Sequence, residues 1–124
     1  MPTRVRFTFS NMSQTLIARR AYGTNAAAWV TAPPSNLYPV ASNVPHNSPL
    51  NTVQGHSGEA DLNAGGSVTM IYNVGAGGTS TFTATLPPAA GAAPHINVVN
   101  TGVIGATHRT SGNEHQWDIA INFR

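Results

Sequence analysis

The sequence predicts an all-β fold, namely an antiparallel two-sheet β-sandwich with its terminal strands in the core. Apolar and polar side chains alternate in residues 4–10, and the same alternation returns in residues 117–123. A period of two is typical of strands with one buried and one solvated face. No stretch of the sequence shows a helical period of useful length. We therefore expect the two terminal strands to close one sheet together.

Length and composition limit the class of protein. The 124 residues fit one domain, so we expect a single β-sandwich domain over 1–124. The chain has no cysteine, which excludes disulfides, a thiolate nucleophile and a cysteine-based zinc site. It shows no basic and apolar leader, and no apolar run near the ~18 residues of a spanning helix. We expect a soluble protein with no visible signal peptide, either cytoplasmic or secreted by a non-classical route.

The first half of the chain is divided by turn residues and prolines. The pattern predicts a strand over residues 15–20, a break at residues 22–25 and a short segment through Trp29. Residues 32–49 contain five prolines, which disfavours a central strand and favours a surface loop or edge segment. The side chains expected to hold this loop against the core are Leu37, Tyr38 and Val40.

The second half is more regular. Residues 67–74 and 79–86 each alternate, and the glycine-rich residues 75–78 separate them, which predicts a β-hairpin. The remaining segments predict strands at 95–100 and 103–108 and a turn at 111–113. The whole pattern gives seven to nine strands, a number that suits a sandwich.

The charge pattern argues against several function classes. Charged residues make up 8% of the chain, its six basic residues are all arginine, and the formal net charge is +2. No basic cluster exceeds the pair Arg19 and Arg20, so we expect no nucleic-acid partner. The absence of lysine removes Schiff-base chemistry and a phosphate-loop lysine, and no serine lies in a nucleophile elbow. We interpret the chain as a non-enzymatic binding protein with no catalytic residues and no cofactor.

Two short segments contain side chains of the types that bind metals. His56, Glu59 and Asp61 lie within six residues, and Glu114 precedes His115. Glu59 and Asp61 would share one face if their segment were extended, which is the arrangement of an acid pair. Neither segment has the spacing of a known metal motif. We therefore interpret them as solvated loop residues and expect no metal site.

Several segments together carry a resemblance to a known family. In order along the chain they are Asn11-Met12-Ser13, Thr15-Leu16, Trp29-Val30-Thr31-Ala32-Pro33-Pro34-Ser35-Asn36, Gly58-Glu59-Ala60 and Val68-Thr69-Met70-Ile71-Tyr72-Asn73-Val74. In this order the chain resembles the aegerolysin-like family. That family includes the small components of binary bacterial insecticidal toxins and fungal lipid-binding cytolysins, which are compact single-domain β-sandwiches.

The resemblance implies a toxin-like protein that recognises membrane lipid, as the small component of a pore-forming pair with a larger protein toxin partner. The candidate ligand-binding residues are Trp29 and Tyr38, as aromatics at the lipid surface, with Arg19 and Arg20 on a headgroup phosphate. A tryptophan after an alanine run is also a typical core anchor, and we favour a buried Trp29. Trp117 is in phase with the apolar residues of the last strand, so we expect it in the core.

A second function class remains open on the residues alone. A surface rich in Ser, Thr and Asn with few charges suits sugar hydroxyls and flat subunit contacts equally, which predicts a carbohydrate-binding, lectin-like protein or a self-assembling structural β-sandwich. Tyr38 with Asn36 and Asn43 is the candidate glycan site. The low surface charge also favours self-association, so we expect a homo-oligomer, specifically a dimer.

Overall fold

The computed structural model of the chain describes residues 2–39, 57–75, 77–89, 91–114 and 116–124. Its strands are β1 (Thr3–Asn11), β2 (Ile17–Thr31), β3 (Asn36–Leu37), β4 (Ser57–Asn73), β5 (Thr79–Thr85), β6 (His95–Asn100), β7 (Ala106–Asn113) and β8 (Gln116–Phe123). The described residues contain no helix, which confirms the all-β prediction. It follows that none of them forms a helix long and apolar enough to cross a bilayer.

The two terminal strands lie side by side in the core, as predicted. Their buried side chains are Val5, Phe7, Phe9, Ile119, Ile121 and Phe123. The pairing runs from Arg4 opposite Gln116 to Asn11 opposite Phe123, and it is parallel. The prediction of a wholly antiparallel fold was therefore wrong for this pair, although the other described pairs are antiparallel. A parallel pair needs a long connection between its strands, and here the whole chain from β2 to β7 provides it.

Strand β4 connects the two parts of the sheet. Residues 57–62 of β4 pair with β1, whereas residues 67–73 pair with β5. Strand β2 runs along the other edge of both parts of β4. The main strand order is β3-β2-β4-β1-β8-β7, with β5 also on β4 and β6 on β5. The pairing of residues 67–73 with β5 confirms the predicted hairpin.

Local predictions were wrong in three strands, β4, β2 and β7. Strand β4 begins at Ser57, so Glu59 and Asp61 lie in a strand and not in a loop. The buried positions that alternate with them are Gly58, Ala60 and Leu62, and only Leu62 has a large apolar side chain, so the hydrophobic signal is weak. Strand β2 continues through residues 22–25, because pairing with β4 overrides the turn tendency and three register shifts absorb the irregularity. Strand β7 begins at Ala106 and not at residue 103, and it includes residues 111–113, so the turn follows at Glu114.

Both long strands depart from regular pairing at the same level. In β4 the change occurs at Gly65, with φ of 77°, and at Gly66. In β2 it occurs at Ala26, which has φ of 52° and lies in a register shift between Asn25 and Ala27. Gly66 packs directly against the Ala26 carbonyl, and a Cβ there would also lie 2.9 Å from the Asn63 carbonyl oxygen. Only glycine permits this approach of the two backbones.

Tyr72 joins the two parts of the sheet in one core. It lies on the second part of β4, yet its ring centroid is 5.4 Å from that of Phe9 on β1 and 5.9 Å from that of Phe123 on β8. Its hydroxyl donates to the Pro34 carbonyl oxygen at 2.7 Å, and burial raises the pKa of this hydroxyl. The core is therefore continuous across both parts of β4.

The proline-rich stretch is described only as far as Pro39. Leu37 is fully buried and pairs with Ile17, which confirms that it holds this stretch against the core. Tyr38 is half-buried. Val40 and Asn43 lie outside the described residues.

We expect Gly66→Ala to lower the free energy of unfolding by about 2–4 kcal/mol, because the new methyl group would collide with two backbone carbonyls that have little room to move. Gly23→Ala is the matched control, since a Cβ at that position of β2 meets nothing within 4 Å. The control is expected to change stability by less than about 1 kcal/mol. Urea denaturation of both variants measures the difference, and equal midpoints would show that the close approach is not a constraint.

Candidate functional site

The structure brings some of the predicted ligand-binding residues together at the start of β2. The backbone N–H of Arg19 donates to the Ser35 carbonyl oxygen at 2.9 Å, and the Arg19 guanidinium donates to the Pro33 carbonyl oxygen. Asn36 on β3 lies opposite Ala18, next to Arg19. Arg20 falls at a register shift and is exposed. Tyr38 follows β3 and is half-buried.

Arg19 belongs to a ladder of side chains along β2. Its guanidinium carbon lies 4.3 Å from the centroid of the Tyr22 ring, and Tyr22 meets Trp29 edge to face at 6.1 Å. Trp29 is half-buried, packs on Phe7 at 5.7 Å and donates its indole N–H to the Gly23 carbonyl oxygen. Sequence reasoning missed Tyr22 because it lies in the predicted break. Since the ladder engages Arg19 and Trp29, we regard it mainly as a structural brace of β2.

The side chains of Glu59 and Asp61 on β4 share one face, where two arginines neutralise them. Arg4 pairs with both Asp61 and Glu59, the latter at 2.9 Å, and Arg6 pairs with Glu59 at 3.2 Å. The hydrogen bond from Arg4, followed by that from Arg6, holds the pKa of Glu59 below its usual range. A carboxylate with a lowered pKa is a poor general acid, so this pair does not support a hydrolase site.

Side chains of the types that bind metals do not cluster in the part of the chain that the structure describes. The described residues contain no group of three or more His, Cys, Asp or Glu side chains that would hold a metal ion. His56 and His115 lie outside those residues. Trp117 is partly buried and packs against the core, and its indole N–H has no hydrogen-bond partner among the described atoms.

Several loops meet at one end of the sheet, which we call the loop end: residues 12–16, 74–75, 77–78, 101–105 and Arg124. The backbone N–H of Met12 donates to the Phe123 carbonyl oxygen at 2.8 Å, and Arg124 exchanges two backbone hydrogen bonds with Gly105. A Cβ on Gly78 would lie 2.5 Å from the Gly102 Cα, so those two backbones are in contact. The loops therefore form one continuous surface.

Asn11 fixes this surface to the sheet. Its side chain is fully buried at the end of β1. Its amide nitrogen donates to the carbonyl oxygens of Thr15 and Leu37, each at 2.8 Å. Its amide oxygen accepts from both the backbone N–H and the hydroxyl of Ser13. One side chain thus ties residues 12–16 to β3 and satisfies its own hydrogen-bonding capacity.

Three apolar side chains are exposed at the loop end. Val103 is 98% exposed, Met12 57% and Leu16 46%. Sequence reasoning missed them as a group because residue type alone does not separate exposed from buried residues, and because they lie on loops far apart in the chain. None of the four carboxylate residues of the chain lies on the loop end, whereas Arg124 does.

No protein-family model matches the chain, and no curated protein matches it. The aegerolysin-like resemblance therefore stays a prediction that rests on the residues quoted for it.

We expect Asn11→Ala to lower the free energy of unfolding by about 2–4 kcal/mol, since it leaves buried carbonyl groups without their donor. Ser10→Ala, which removes one hydrogen bond on the outer face of the same strand, is the control and should cost about 1 kcal/mol or less. Thermal unfolding of both variants measures the difference. Equal losses would mean that Asn11 does not anchor the loop end.

We also expect the stability gained from Glu59 to depend on pH. Because the folded pKa of Glu59 lies below its unfolded value of about 4.3, the stabilisation is present above that value and is lost as the pH falls through the folded pKa. Glu59→Gln should therefore lower the urea midpoint at neutral pH, and its difference from the wild type should shrink as the pH falls through the folded pKa. Asp118→Asn, which removes a carboxylate outside these three ion pairs, is the control. A difference between wild type and Glu59→Gln that does not change with pH would contradict the assignment.

Proposed function

We propose that this protein is a non-enzymatic recognition protein that docks reversibly on lipid membranes through its loop end. The observation that carries the proposal is the group of exposed apolar side chains on adjoining loops, Met12, Leu16 and Val103. Grouped apolar exposure is a common property of interaction surfaces, whereas single exposed apolar residues are ordinary. Val103 in particular has almost no contact that would shield it from water.

We infer that the two parts of β4 belong to two layers of a β-sandwich. The aromatic contacts of Tyr72 with Phe9 and Phe123 support this inference, because they join strands that pair with different parts of β4. A sandwich presents its loops at its ends on a rigid base, which suits docking by loop side chains. Asn11 contributes to that rigidity.

The loop end has the balance of apolar area and charge that a peripheral membrane protein needs. Moving the exposed parts of three such side chains out of water contributes on the order of 3–5 kcal/mol. Arg124 adds about 1 kcal/mol near an anionic leaflet, and no carboxylate side chain opposes it there. The sum corresponds to weak, reversible binding that is stronger on anionic vesicles.

Weak docking of this kind suits the recognition component of a pair, in which a larger protein forms the pore. The predicted partner and homodimer belong to this proposal, and the exposed Arg20 and Asn36 on β2 and β3 are candidate contacts for either. The glycan alternative has less support from the described residues. Arg19 lies over one face of the Tyr22 ring, and Trp29 contacts both Phe7 and Tyr22, so both rings are already engaged by side chains of the fold.

We expect the double variant Met12→Ser and Val103→Ser to bind vesicles of phosphatidylcholine and phosphatidylglycerol roughly tenfold more weakly than wild type, because it removes apolar area from the membrane-facing loops. Vesicle sedimentation measures the change. Val30→Ser is the matched control, since Val30 is 53% exposed on β2, away from the loop end. It should bind as the wild type does.

Two results would contradict the proposal. The first is no binding of the wild type to any vesicle, after which a glycan array tests the alternative function. The second is an equal loss in the Val30→Ser control, which would show that apolar exposure in general, and not the loop end, governs binding. Light scattering at high protein concentration tests the dimer, and a monomer throughout would remove that part of the proposal.

A further inference from the structure

A groove of about 410 Å³ lies on the outer face of β1, β8 and β7. Two cross-strand rows form it. In one row Ala120 of β8 lies between Thr8 and Arg109, and in the next Asn122 lies between Ser10 and Thr107. The groove has its floor at Ala120, whose methyl group is shorter than its neighbours on both sides. Arg124 and His108 complete the polar lining.

Two arginines in this groove have no anionic partner among the described residues. Among the ion pairs of the described residues, Arg4 and Arg6 take Glu59 and Asp61, and none involves Arg109 or Arg124. The nearest carboxylate on this face by register is Asp118, which lies in the adjacent row opposite Arg6. The groove thus combines two guanidinium groups with no aspartate or glutamate in its lining.

The remaining lining defines the kind of anion that fits. Guanidinium groups match the paired oxygens of phosphate, with which they form two parallel hydrogen bonds. Hydroxyl groups of Thr8, Ser10 and Thr107 and the amide of Asn122 lie in the same groove and suit alcohol groups. Ser10 already donates to the Asn122 amide oxygen at 3.0 Å, which orients that amide. The volume lies within the range typical of small-molecule sites, about 300–1,000 Å³.

We propose that this groove binds the phosphate ester of a polyol or sugar. Arg109 and Arg124 hold the phosphate, and Thr8, Ser10 and Asn122 hydrogen-bond to the hydroxyl groups. The ester is either a free small molecule or the headgroup of a lipid. The site itself does not depend on membrane docking, but the headgroup case does, and Arg124 belongs to both the groove and the loop end.

The first experiment titrates the full chain with glycerol 3-phosphate, inorganic phosphate and glycerol, followed by NMR chemical shifts. We expect saturable binding of glycerol 3-phosphate, weaker binding of inorganic phosphate and none of glycerol. Arg109→Gln and Arg124→Gln should each weaken binding about tenfold or more. Arg6→Gln makes the same charge change on β1, at a residue outside the groove lining that pairs with Glu59, and should leave binding unchanged. No saturable binding, or an equal loss in the Arg6→Gln control, would overturn the proposal.

A second experiment separates the two sources of the phosphate. If the natural ligand is a headgroup, Arg109→Gln lowers sedimentation with phosphatidylglycerol vesicles, and glycerol 3-phosphate competes with the vesicles. If it is a free small molecule, Arg109→Gln loses only the soluble ligand. Vesicle binding lost in the Met12 and Val103 double variant, with glycerol 3-phosphate binding retained, would assign the two surfaces separate roles. Binding of glycerol 3-phosphate by a wild type that binds no vesicle would refute membrane docking and leave the groove assignment standing.

Discussion

The pairing of β4 with three different strands is the constraint on which the rest of the structure depends. Its first part pairs with β1, its second part with β5, and β2 accompanies both. The two parts are joined where Gly66 packs on the Ala26 carbonyl, so a backbone contact without side chains sets how the two parts meet. Tyr72 can reach Phe9 and Phe123 only because of this geometry. The positions of the loops at the loop end also follow from this arrangement of β4.

The few charged side chains of this protein are distributed unevenly over its surface. Two of its four carboxylates are held by Arg4 and Arg6 on the outer face of β4 and β1. The loop end and the neighbouring groove are left with arginines and no carboxylate in their lining. A small net charge of +2 is therefore compatible with a locally basic surface, because screening limits the reach of each charge to about 8 Å in physiological salt. The overall composition and net charge therefore do not reveal such a locally basic surface.

The parts of the fold with strong alternation could be predicted from the sequence. The terminal strands, the hairpin of β4 and β5 and the burial of Leu37 all follow from large apolar side chains at regular spacing. The first part of β4 could not be predicted, since two of its three buried positions are Gly58 and Ala60 and only Leu62 carries a hydrophobic signal. The two candidate surfaces, the loop end and the groove, could not be predicted from the sequence either. The groove takes its lining from strands at both ends of the chain, and the loop end takes its members from loops about 90 residues apart, so neither leaves a local pattern.

The parallel pairing of β1 with β8 has a kinetic consequence. Ser10 and Asn122 bond across 112 positions of sequence, and β1 has no other neighbour on that edge. Contacts of such high order close slowly, because the entropy of the intervening chain must be lost before the pairing gains anything. Until β8 arrives, β1 exposes an edge rich in Phe and Val, which is a template for pairing with other chains. The nascent protein is thus most prone to aggregate before β8 has been synthesised, and a slow final step is expected in refolding.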